Sequence, residues 1–261
     1  MLPTPRTAGD NGMINALICA YKSGDVLPLT LAQLIGAKAV TRILIADGPH
    51  LGPIKPGYKA QHPSVRKVVD RLRSRKIVYE YTDTCPTRAD KNNRILKHVS
   101  EDCAWILCVD SDEVYHEQDL ERLAEFLKSA EYGRYAVKTV NPYPDFQHCI
   151  KLPDDWKPRV YRWFPGAQCA PGHDRHHQYV LHEKQRQCQG QEIGGLARVP
   201  REVCVFWHLN AMRAFPRRVK PQPDGTIIWT GGKKAVRSKI YPLDISEAPK
   251  SIRALGKATL T

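Results

Sequence analysis

Between residues 13 and 130, short apolar runs alternate with stretches of helical periodicity, and no other feature of the chain constrains its fold as strongly. Met13–Tyr21 reads as a buried strand. After a turn over 22–25, Leu27, Leu29, Leu31, Leu34 and Ile35 recur at helical spacing. Val40–Ala46 is a second strand that ends on the turn residues Asp47, Gly48 and Pro49, followed by a long loop over 49–63 rich in Pro, Gly and Lys. A basic helix over Ser64–Ser74, a strand over Lys76–Tyr81 and a helix over Ala89–Val99 come next. The apolar strand Ala104–Val109 precedes a helix over Glu117–Ser129 that carries Leu120, Leu123, Phe126 and Leu127. Strands alternating with helices in this way predict an α/β fold with a mostly parallel sheet and helices on both faces.

Ligands of such sheets bind outside the carboxyl ends of the strands. Tyr21, Asp47 and Asp110 all fall there. Asp110 and Asp112 flank Ser111 directly after the buried strand, and two carboxylates so spaced can converge on one hard divalent cation, Mn2+ or Mg2+. Such a cation can bridge the two phosphates of a nucleotide diphosphate and neutralise the charge of the departing group. The competing reading makes the pair a cap for the helix at Glu117.

Beyond residue 130 the pattern shifts to short strands, prolines and histidines. Residues 1–12 carry no periodicity and read as a loose tail. From Arg213 to Thr261, eleven Lys or Arg stand against three acids, which reads as a basic, loosely structured extension. The chain carries a net charge of +13, which argues for a polyanionic partner: nucleic acid, an anionic membrane surface or a phosphorylated glycan. No apolar run is long enough to span a bilayer, no signal-peptide pattern opens the chain, and its eight cysteines suggest no disulfide framework. These features lead to the expectation of a cytoplasmic protein of a bacterium or an infected cell.

The order of several motifs resembles the family-2, GT-A-type glycosyltransferases over about residues 14–220. Ala20-Tyr21 ends the first strand and Asp47-Gly48 the second. Lys91-Asn-Asn-Arg94 opens a helix, and Asp110-Ser-Asp-Glu113 follows the fourth strand. Arg159-Val-Tyr-Arg162, Leu181-His-Glu183 and Val205-Phe-Trp-His208 come later in the chain. The resemblance implies a Rossmann-like nucleotide-sugar half over 13–130 and a smaller acceptor-binding half over 131–212. It places the nucleotide base near Ala20, Tyr21 and Asp47, and the diphosphate near Arg88, Lys91 and Asp110. It implies that the metal is held by Asp110, Asp112 and His208. For an inverting transfer from a donor such as a UDP-sugar, Glu183 is the first candidate for the base and Asp174 the second. Asp47 is followed by Gly-Pro rather than by the family's usual second acid or Gly-Ser.

Cys169, His173, His176, His177, His182 and Cys188 invite a zinc site, although their spacing is irregular for one and an acceptor-contacting loop fits better. Trp156, Tyr161 and Trp163 could stack on a sugar or a base, or pack in the core. For the acceptor, a hydroxymethylated base in DNA is weakly preferred, because Arg66, Lys67, Arg71, Arg73, Arg75 and Lys76 join the basic tail as possible phosphate contacts. A bacterial surface glycan such as lipopolysaccharide core is the alternative. A non-catalytic nucleic-acid-binding protein on a degenerate transferase fold is the reading from a different class.

Overall fold

The computed structural model describes residues 12–20, 23–24, 26–49, 63–83, 85, 87–142, 148–150, 156–171, 178–181, 197–209, 219–224, 226–229, 236–242 and 248–249. Tyr21, Asp174, Glu183, Cys188 and the four histidines of the 169–188 cluster lie outside them, as does most of the 49–63 loop.

The amino-terminal half follows the expected alternation: β1 Ile14–Ala20, α1 Leu27–Gly36, β2 Val40–Asp47, α2 Pro63–Leu72, β3 Ile77–Tyr81, α3 Arg88–Ile95 and β4 Trp105–Asp110. These four strands are parallel and stand in the order β3-β2-β1-β4. Burial divides the helices between two faces. Leu27, Leu31 and Leu34 of α1 and Val65 of α2 pack on Ile14, Ala16 and Ile18, whereas Ala89 and Ile95 of α3 pack on Leu17, Leu44 and Ile106. Successive residues of β1 therefore serve opposite faces, as the pleat requires. Asn15 is the one strongly polar side chain in β1. Its amide donates to Thr41 Oγ1 at 2.8 Å and Ser100 Oγ at 2.9 Å, and its carbonyl accepts from Ser100 N at 2.9 Å. A buried amide so satisfied ties three segments together at the amino end of the sheet.

A short β5, Glu113–Tyr115, separates the Asp110–Asp112 pair from α4, Glu117–Lys128. His116 caps that helix, accepting from the Gln118 N–H at 3.1 Å. The carboxylate pair is therefore not a helix cap.

Most of the remaining strands extend the sheet beyond β4. Those up to His208 are β6 Arg134–Pro142, β7 His148–Ile150, β8 Trp156–Arg162, β9 Gln168–Pro171, β10 Gln178–Leu181, β11 Ala197–Arg198 and β12 Val205–His208. β8 is antiparallel to β4 and β6 is antiparallel to β8, while β12 runs parallel to β6 and antiparallel to β5. β9 and β10 form a separate pair.

The carboxyl-terminal extension departs from expectation. β13 Val219–Pro221, β14 Thr226–Trp229 and β15 Val236–Pro242 form an antiparallel meander, and β15 joins β7 to continue the main sheet. The signal was present in Pro223-Asp224-Gly225, a turn sequence, followed by the β-branched pair Ile227-Ile228 before Trp229. High charge masked it, although Lys and Arg are compatible with strands near a sheet edge.

Candidate active site

The strand order reverses between β1, which leads outward to β2 and β3, and β4 on its other side. Crevices at such reversals, outside the carboxyl ends, are where open α/β sheets bind ligands. Register places Cys19 opposite Asp110 and Ala20 opposite Asp47 at this edge.

Asp110 is the centre of a charge network. Arg88, the first residue of α3, donates to Asp110 Oδ1, and Arg159 Nη2 donates to Asp110 Oδ2 at 2.8 Å. The Arg159 guanidinium also grips Glu113: Nε donates to Oε2 at 2.9 Å and Oε1 at 3.1 Å, and Nη2 donates to Oε1. Glu113 Oε2 in turn accepts from the Asp110 N–H at 3.1 Å. Arg159 and Glu113 are 9% and 1% exposed. Burial opposes ionisation of Asp110, but Arg88 and then Arg159 outweigh it and hold the carboxyl well below the usual carboxylate range. Burial would likewise lower Arg88, and Asp110 reverses the sign, so the ion pair is charged throughout the physiological range.

Arg159 reaches this position through an irregularity in β8. Tyr135 pairs with Val160 and Ala136 with Pro158, so Arg159 is an extra residue between two pairs. A bulge of this kind re-aims one side chain out of the regular alternation. Sequence reading noted Arg159 within a motif but assigned it no role, because a bulge is a property of pairing rather than of local sequence.

Asp112 and His208 meet from different parts of the chain. β12 lies antiparallel to β5 with His208 opposite Glu113, and Leu209 N–H donates to the Asp112 carbonyl at 2.9 Å. These contacts bring His208 Nε2 to 3.8 Å from Asp112 Oδ1. Thr30 of α1 donates to the Ser111 carbonyl at 3.0 Å, fixing the turn between the two acids. Among the described residues, no group of three or more His, Cys, Asp or Glu is placed to hold a metal by itself.

The two other cofactor-side positions differ from expectation in how they act. Lys91 was expected at the diphosphate. It is 1% exposed, and its ammonium donates to the Ala20 carbonyl at 3.0 Å and the Gly48 carbonyl at 2.7 Å. It lies on the inward side of α3 with Ala89, Asn92 and Ile95, so it ties the carboxyl ends of β1 and β2 together from below. Asp47 is fully buried. It accepts from Tyr79 Oη at 2.8 Å and from Gly48 N at 2.7 Å. Both residues shape the strand ends from within.

Gly48 sits at the junction of these contacts with φ of +114°, and an added Cβ would collide with the Thr82 carbonyl. Gly48→Ala is therefore expected to destabilise the fold by about 2 kcal/mol or more, from strained backbone and steric overlap. Urea denaturation measures it; an unchanged midpoint would show that the β2 turn relaxes without cost.

The basic segment around α2 lies elsewhere. Ile77 is paired with Ile43 near the start of β2, so residues 73–76 stand at the amino end of the parallel strands, opposite Ala20, Asp47 and Asp110. Lys76 donates to the Ile35 and Ala37 carbonyls at 2.9 and 2.6 Å, closing the end of α1, and Arg66 pairs with Asp70 at 3.0 Å. Lys67, Arg71, Arg73 and Arg75 are exposed. The expected phosphate-tracking stripe thus loses Lys76 to a structural role, and its 73–76 end stands away from the site, whereas Arg66 near the start of α2 lies over the Tyr79 ring. No described helix is long and apolar enough to cross a membrane.

No model of a known protein family matches the chain, and no characterised protein matches it in sequence. Among solved structures, the chain is similar to S. aureus TarS 1–349 at 14% identity and a TM-score of 0.42, over 57% of this chain and 47% of that one. The TarS 1–349 complex with UDP-GlcNAc gives the same identity and score over 54% and 37%. A 4-diphosphocytidyl-2C-methyl-D-erythritolsynthase from Anaerococcus prevotii is 18% identical with a TM-score of 0.38, over 59% and 72%. The chain spans less than half the length of the TarS structures it resembles. At that level none of them assigns a role to any residue.

Proposed function

We propose that the chain is a glycosyltransferase that takes its sugar from a nucleotide diphosphate, such as a UDP-sugar, and works with a divalent cation. One observation carries the reading. Asp112 and His208 converge, 3.8 Å apart, just beyond the carboxyl end of β4 and beside the Arg88–Asp110–Arg159 network. A carboxylate and an imidazole suit Mn2+ or Mg2+ in part, and the imidazole favours Mn2+. Among the described residues these two side chains would hold the cation, and donor phosphates and water would supply further oxygen ligands. Asp110 fits less well as a ligand than the sequence suggested, because both its oxygens already accept from guanidinium groups.

When bound, the cation supplies Lewis acidity to the departing diphosphate. The protein's own contribution is preorganised charge. Asp110 fixes Arg88 at the start of α3, so that a guanidinium stands ready beside the leaving group without reorganising during the reaction. Lys91 holds the ends of β1 and β2 in register as the floor for the nucleoside. Proton removal from the attacking hydroxyl is assigned to Glu183, with Asp174 second.

Of the two acceptor classes, the surface glycan gains support. A duplex gripped by Arg71, Arg73 and Arg75 would lie at the end of the sheet opposite Asp110. The deciding experiment incubates the protein with a panel of nucleotide sugars, with Mn2+ or with chelator, and measures nucleoside diphosphate release. Metal-dependent release from one donor is the expected result. No release from any donor with Mn2+ present would return the chain to the non-catalytic binding class.

A further inference from the structure

α2 turns its apolar residues to the core. Val65 is buried there and Val68, Val69 and Leu72 pack against it, so the cations interspersed with them in the sequence are left on the outer side. Lys67, Arg71, Arg73 and Arg75 are exposed, and among the described residues no carboxylate pairs with any of them. Asp70, the one acid between residues 63 and 76, is engaged by Arg66 at 3.0 Å. We propose that Lys67, Arg71, Arg73 and Arg75 form a docking surface for an anionic phospholipid bilayer.

Local structure keeps these charges together. Lys67 and Arg71 stand one helical turn apart, at i and i+4 of α2. The chain then leaves the helix abruptly. Arg73 adopts φ of +45° with its N–H donating to the Val69 carbonyl at 3.2 Å, and the Ile77 N–H donates to the Ser74 carbonyl at 3.1 Å. Arg73 and Arg75 are thus held in a tight turn next to Arg71, while Lys76 is drawn inward to the end of α1 and takes no part. The sign of the charge selects an anionic partner, and the residue types select its class. Residues 63–76 contain no aromatic, Asn, Gln or His side chain, so nothing on this face would stack on bases or read their edges. Cations without a reading group suit lipid headgroups, which diffuse laterally to meet them. Because the apolar residues of α2 are already packed inward, the helix has none to insert between acyl chains, and the contact is peripheral and electrostatic. The 73–76 end stands at the amino end of the parallel strands, away from Asp110 and Asp112, so bilayer and nucleotide can bind together. On the glycosyl-transfer reading, such docking would hold the chain beside lipid-carried acceptors.

The test is co-sedimentation of the full chain with phosphatidylcholine vesicles that contain or lack phosphatidylglycerol. Binding is expected only with phosphatidylglycerol at about 0.1 M salt and should be lost by about 1 M, as the screening length falls from about 10 Å to about 3 Å. Each Lys or Arg near such a surface strengthens binding about fivefold, so Lys67→Gln, Arg71→Gln and Arg75→Gln combined should weaken it about a hundredfold. The melting temperature of that variant should stay near wild type, because all three positions are exposed. Arg71→Lys with Arg75→Lys should bind as wild type, since charge rather than guanidinium geometry is used. Equal sedimentation with both vesicles, none with either, wild-type binding by the triple variant or loss of binding by the lysine variant overturns the proposal. Release from the vesicles by a DNA duplex at equal phosphate concentration overturns it in favour of nucleic acid. A calorimetric titration with UDP and Mn2+ keeps the two readings apart. A chain that binds phosphatidylglycerol vesicles but not UDP loses the donor reading and keeps the membrane surface, and one that binds UDP but no vesicle loses the membrane surface alone.

Discussion

Arg159→Met is expected to destabilise the protein by about 3–5 kcal/mol, the cost of removing one partner from a buried ion pair. The guanidinium is the group that spans Asp110 and Glu113, and Glu113 is nearly inaccessible to water. Burial pushes the Glu113 carboxyl up and Arg159 opposes it. In the variant the folded-state pKa therefore rises further above the unfolded value. A carboxyl shifted in that direction penalises the fold above its folded pKa, and the penalty fades as pH drops toward the unfolded value. The deficit relative to wild type should thus shrink in urea denaturation as pH falls from neutrality toward the ordinary carboxylate range. Adding Glu113→Gln to the variant should recover part of the loss, because the stranded charge is gone. A pH-independent deficit, with no recovery in the double variant, would mean that Arg159 matters through packing on Phe206 instead, 5.6 Å from its guanidinium.

Asp112→Ala should separate chemistry from folding. Its carboxylate faces His208, and its main-chain carbonyl accepts from Leu209 N–H, a bond that alanine keeps. Donor turnover is expected to fall by several orders of magnitude, since metal-assisted departure of the diphosphate provides much of the rate. The melting temperature should stay close to that of wild type. Turnover within tenfold of wild type, or wild-type turnover in excess chelator, would remove the cation from the mechanism.

Nearly every element of the first 130 residues was legible from local pattern. The predicted strands and helices agree with β1 to β4 and α1 to α4 to within a few residues, because a pleated strand and an amphipathic helix each impose their own period on the chain that forms them. α3 gives way at Ile95 to a short 3-10 turn over Leu96–His98 where the sequence suggested a continuous helix to Val99. The polar Lys91-Asn-Asn-Arg94 segment carries little apolar periodicity from which to place that end. The placement of Asp47 and Asp110 at strand ends was equally readable, since it follows from where the apolar runs stop.

Long-range pairing decided the rest. The approach of His208 to Asp112 depends on β12 lying between β5 and β6, a register that no local period encodes. The charge on Arg159 announced an ionic partner without saying which, and a one-residue bulge chose Asp110 and Glu113. Lys91 and Lys76 looked like phosphate ligands because lysine is charged wherever it is read in sequence. Their stems are long enough for the ammonium to reach main-chain carbonyls inside the fold, and only the packed structure determines whether a given lysine turns inward or toward solvent.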